Sequence, residues 1–122
     1  MEKYISVMKQ SIELLNTVQE GLEHVQALLK EGKFEESIPL FGDIVLGFST
    51  TERTVVRLPE EILYEEVKTF TIKVRKALDL VVGTYETKDY YKMQEILQFT
   101  LLPRFKRWKD LLEEMFSSYL AS

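Results

Sequence analysis

Apolar residues recur at steps of three and four along nearly the whole chain, and that spacing dictates helices. In the first segment Ile5, Met8, Ile12, Leu15, Val18, Leu22, Val25 and Leu29 follow this rhythm. Such spacing gathers side chains on one face of a helix and is incompatible with the alternation of a strand. Gly32 comes next, where a left-handed helix cap is least strained. A second stripe runs Phe34, Ile38, Phe41, Val45, Phe48, with Pro39 about a turn in, where a bend is expected. Its end is blurred by Ser49-Thr50-Thr51, and Glu52 to Arg57 continue it as far as the break at Pro59.

Pro59 suits the first turn of a third helix, followed by Glu60 and Glu61 at the positive end of the helix dipole. Leu63, Val67, Phe70, Val74, Ala77, Val81 and Tyr85 form its stripe, and Gly83 is a possible early end. Thr87-Lys88-Asp89 reads as a turn, with Asp89 capping a fourth helix. That helix carries Met93, Leu97, Leu101, Phe105, Trp108, Leu112, Met115 and Tyr119, and Pro103 predicts a kink. The expected fold is all-α: an antiparallel up-down-up-down four-helix bundle, with a three-helix core and a displaced second helix as the alternative. A chain of 122 residues has room for one such domain. Centring the first hairpin on Gly32 sets Gly21 opposite Gly42 and predicts a close approach of the two helices there.

The composition excludes much chemistry. There is no cysteine, so disulfides, thiolate catalysis and cysteine-bound zinc are ruled out. The one histidine, His24, lacks the second Glu-x-x-His motif that a di-iron bundle needs. Paired glutamates such as Glu65-Glu66 and Glu113-Glu114 project about 100° apart on a helix and do not converge. Asp43, on an otherwise apolar stretch, is the one acid expected to be partly buried, and it has no evident catalytic partner. No cofactor, no metal and no catalysis are therefore expected. A net charge of −4 argues against generic binding to nucleic acid or anionic lipid. No apolar run approaches the roughly 18 residues of a membrane span, and no signal peptide is evident, so the cytoplasm is the expected location.

Two features point toward a partner. Arg104, Lys106, Arg107 and Lys109 make a basic knot around Phe105 and Trp108, suited to an acidic peptide or a phosphate. The fourth helix is also apolar beyond its stripe, at Tyr90, Ile96, Phe99, Leu102, Leu111, Phe116 and Leu120; Leu40 and Leu46 are off-stripe on the second helix. An apolar surplus marks an interaction surface when it is exposed. The expected partner-binding residues are Arg104, Arg107, Phe99, Leu102 and Phe116, and the expected partner is another protein or a second copy of this chain.

The stretch Glu31-Gly32-Lys33-Phe34-Glu35-Glu36-Ser37-Ile38-Pro39-Leu40-Phe41 resembles the turn and second helix of a tetratricopeptide unit, although no second copy follows at the period of about 34 residues. The run from Asp89-Tyr90 through Ile96-Leu97, Leu102-Pro103 and Trp108 is similar to uncharacterised small helical proteins of Gram-positive bacteria. In size and all-helical patterning the chain also resembles flagellar export chaperones. These resemblances imply helical hairpins and no particular activity. The expected function is a non-enzymatic protein-interaction module: an adaptor, small chaperone or regulator. The alternative is a small-ligand binder with a cavity lined by Phe41, Phe70, Tyr85 and Trp108.

Overall fold

The computed structural model describes residues 2–121. Helix α1 spans Glu2–Lys30, α2 Phe34–Val56 and α3 Glu65–Thr87. A fourth rod is built from α4 (Tyr90–Ile96), a π-helical turn (Leu97–Leu101) and α5 (Leu102–Leu120). There is no strand among the described residues. Contacts between rods fall in antiparallel order. Val18 and Gly21 of α1 meet Gly47 and Ile44 of α2, Ser37 and Ser49 of α2 meet Tyr85 and Arg75 of α3, and Glu66 and Lys73 of α3 meet Arg107 and Arg104 of α5. Gln19 on α1 meets Lys109 on α5 and closes the ring. The up-down-up-down bundle is therefore the fold. Helix α2 belongs to it, since Phe41, Ile44, Phe48 and Val55 enter the common core, but α2 lies against α1 far more extensively than against α3.

The turns follow local chemistry. Gly32, at φ +76°, sits where the cap of α1 needs left-handed backbone, and the amides of Gly32 and Lys33 donate to the carbonyls of Leu29 and Leu28. The same bonds close α3, from Lys88 and Asp89 to Tyr85 and Thr84, with Lys88 taking the left-handed position at φ 58°. Gly83 therefore does not end α3, which runs four residues further, to Thr87. Asp89 caps α4 as expected, accepting from the Lys92 amide at 3.1 Å.

Pro59 does not open α3. The amides of Ile62 and Leu63 both donate to its carbonyl, making a separate turn, and α3 starts only at Glu65, after extended backbone at Tyr64. Leu58 and Ile62 are buried and tie this connection to the core. A helix begun at Pro59 would leave no chain to make that closure.

Just before Pro103, where a kink is expected, the rod makes a π-helical turn. Proline has no N–H to continue the ladder and its ring crowds the carbonyl four residues back. The Leu102 amide instead reaches the Leu97 carbonyl, which inserts a residue and shifts the buried face.

The glycine expectation is overturned. Gly42 is exposed, with nothing within 4 Å of where a Cβ would stand. Gly21 instead receives the Ile44 side chain, whose Cγ1 would lie 3.1 Å from an added Cβ, and Gly47 receives Val18 at 2.6 Å. The two glycines that bring α1 and α2 together are thus Gly21 and Gly47, each a socket for a branched side chain of the other helix. The register is offset by about one turn from glycine against glycine because the side chains need the space.

Candidate functional site

The basic knot does not converge. The side chain of Arg104 donates to the Lys73 carbonyl at 3.0 Å and that of Arg107 to Glu66 at 3.4 Å, both on α3. Lys109 turns the other way, to Gln19 on α1 at 3.0 Å, with Glu113 at 3.6 Å. These cations strap α5 to its two neighbours, while Phe105 and Trp108 are buried beneath them. The exposed Arg107–Glu66 pair stabilises by about 0–1 kcal/mol.

The apolar surplus of the fourth rod is mostly core. Leu102 and Phe116, expected on a partner surface, are buried, as is Leu111. The reason is tertiary: α5 packs against both α1 and α3, so it needs a wider apolar face than a helix with one neighbour. Of the expected apolar partner residues only Phe99, in the π-helical turn, is open to solvent, at 69%. Leu46 on α2 is exposed too.

The weaker candidates also separate. His24 and Asp43 are exposed, which corrects the expected burial of Asp43. No cluster of three or more metal-ligating residues occurs among the described residues. The four aromatics proposed to line a cavity are instead packed. Trp108 stacks at a tilt on Phe48 with centroids 5.0 Å apart, and its indole N–H donates to Thr71 Oγ1 at 2.9 Å. Tyr85 lies 5.4 Å from Phe41 and bonds Ser37 Oγ at 2.6 Å. Because the Ser37 hydroxyl donates to the Phe34 carbonyl, Tyr85 is the donor to Ser37. Burial, the largest cause, raises the pKa of the Tyr85 phenol, and Tyr90 adds to it. The neutral phenol is thus favoured in the fold. Its contribution to stability is full below the ordinary tyrosine pKa of about 10 and is lost as pH rises through the higher folded value. In a spectrophotometric titration Tyr85→Phe should remove a step lying above the ordinary tyrosine value of about 10. Loss of an early step instead would contradict this environment.

What sequence periodicity missed is the flank between α2 and α3. There Val55, Val56, Leu63, Thr71 and Ile72, with Glu52, Glu60 and Lys68, line a groove of about 380 Å³. Val56 is 72% exposed and Ile72 56%. The charges beside it are already satisfied. Lys68 is held by Glu60 at 3.1 Å and Glu65 at 3.3 Å, which raise its pKa, and Arg75 lies across Glu52 at 2.8 Å and Ser49 at 2.9 Å. What the groove leaves unpartnered is apolar.

The sequence profile of a family described as a domain of unknown function, DUF8042, matches residues 6–111. The chain belongs to that family. The match takes in α2, α3 and the groove between them whole, along with most of α1 and the π-helical turn. No curated protein and no solved structure matches the chain. No helix among the described residues is long and apolar enough to cross a membrane. A signal for the groove does exist in the sequence. Val56 and Ile72 both fall outside the core stripes, yet only the pairing of α2 with α3 brings them to one cleft.

Proposed function

We propose that this protein is a non-enzymatic protein-interaction module, an adaptor, small chaperone or regulator, that takes apolar side chains of a partner protein into the groove between α2 and α3. The observation that carries this reading is the exposure of Val56 and Ile72 on the edges of a cleft whose neighbouring charges are already paired. An unpaired ion would make burial of that surface unfavourable, and here that penalty is absent. A partner helix with apolar residues at three- and four-residue spacing suits such a groove. The inferred setting is the bacterial cytoplasm, supported by the likeness of Asp89–Trp108 to small helical proteins of Gram-positive bacteria and by the lack of cysteine.

Affinity capture from a native lysate tests this with the variant V56S/I72S against wild type, and L46S as an exposed control outside the groove. The expected result is a specific protein held by wild type and L46S and lost at least tenfold by V56S/I72S, whose circular dichroism stays unchanged. Light scattering separates a foreign partner from self-association. The same proteins recovered by all three forms would refute the groove.

A further inference from the structure

We infer that a second depression, between the first turns of α1 and the last turns of α2, binds a small amphiphilic anion: a carboxylate or phosphate on a short apolar chain. Its volume of about 450 Å³ falls within the range of about 300–1,000 Å³ typical of small-molecule sites. Lys3, Arg53 and Arg57 stand around it, its apolar wall includes Tyr4, Val7 and Leu58, and among the described residues no carboxylate lines it. In a chain of net charge −4 that local reversal is not an average property of the surface.

The arginines there differ from the others. Arg75, Arg104 and Arg107 each reach an acceptor on another helix. Arg53 touches only the Thr50 hydroxyl of its own helix, at 3.4 Å, and Arg57 has no side-chain partner among the described residues. Arg57 caps α2 in helical backbone, one turn beyond Arg53 and on the same side, and guanidinium groups so placed match the paired oxygens of a carboxylate or phosphate. The carbonyl end of α2 offsets only about half a charge against the three cations. The hydroxyls of Thr50 and Thr54 donate to the carbonyls of Leu46 and Thr50, so the cations are left to hold the anion. The apolar wall favours a ligand with a tail over a bare ion. This site is separate from the α2–α3 groove and stands or falls independently of it.

Titration of isotope-labelled protein with hexanoate, hexyl phosphate and the neutral control hexanol, followed by amide resonances, tests the inference. Hexanoate or hexyl phosphate is expected to shift residues 3–7 and 50–58 saturably, and hexanol to bind at least tenfold more weakly. R53Q/R57Q, with both changes at exposed positions, is expected to lose at least tenfold in affinity at an unchanged melting temperature. Should that variant unfold, raising the salt on wild type serves in its place, and anion binding that is insensitive to salt would overturn the site. So would a saturable shift by neither anion, hexanol binding as tightly as the anions, undiminished binding by the folded variant, inorganic phosphate binding as well as hexyl phosphate, or retention only on phosphatidylglycerol vesicles.

Discussion

Trp108→Ala is expected to destabilise the fold by about 3–5 kcal/mol, a large share of the roughly 5–15 kcal/mol that holds a domain together. Trp108 is fully buried. It packs on Phe48 of α2 and Phe105 of α5, with centroids 5.0 and 5.8 Å apart, and bonds Thr71 of α3. One side chain thus joins three of the four rods, and its removal leaves a cavity that none of them can collapse into alone. A subtler variant isolates the polar part. Thr71 Oγ1 donates to the Val67 carbonyl at 2.6 Å while accepting from the indole. Thr71→Val keeps the shape but strands a buried N–H, which costs about 1–3 kcal/mol. Urea denaturation followed by circular dichroism measures both. A Thr71→Val midpoint equal to wild type would mean that the indole finds another acceptor, and a Trp108→Ala loss below about 1 kcal/mol would contradict its central place in the core.

Gly47→Ala should destabilise the bundle, whereas Gly42→Ala should stabilise it. Both glycines lie inside α2, where alanine is favoured by about 1 kcal/mol on helix propensity alone. At Gly42 nothing opposes that gain. At Gly47 the new methyl would stand 2.6 Å from Val18 Cγ2, a branched atom one bond from its own Cβ and held in a buried side chain. Relief requires α1 and α2 to move apart, and overpacking of this kind costs about 1–3 kcal/mol. Gly47→Val enlarges the clash and should lower stability further. Thermal melting of the variants checks the ordering. A Gly47→Ala protein as stable as Gly42→Ala would show that the helices are not in close contact there.

The periodic stripes carried the fold. Met8, Leu15, Val18, Leu22, Phe41, Phe48, Val67, Val74, Val81, Leu97, Phe105 and Trp108 are all buried, since a helix must turn its apolar face away from water whatever it packs against. Caps at Gly32 and Asp89 were legible for a similarly local reason: each supplies its own backbone conformation or acceptor. Pro59 departs from the expected helix start because its carbonyl is used in a separate turn, which the burial of Leu58 and Ile62 ties to the core.

The candidate sites were much less legible. Leu102 and Phe116 have the same apolar character as Phe99, yet two are core and one is surface. What separates them is the residue inserted by the π-helical turn and the number of neighbours around α5, neither of which periodicity encodes. The basic knot was visible as a cluster, but its side chains go to α3 and α1 rather than to one point. Arg53 and Arg57 form no cluster in the sequence because their setting is completed by Lys3 and Tyr4, some fifty residues away. The sequence by itself determined the helices, most of their ends and the greater part of the core, since these depend on interactions within a few residues. Only the tertiary structure decided which glycines let α1 and α2 meet, which apolar residues of the fourth rod stay exposed, and where clefts open, because those depend on how rods distant in sequence share one limited volume.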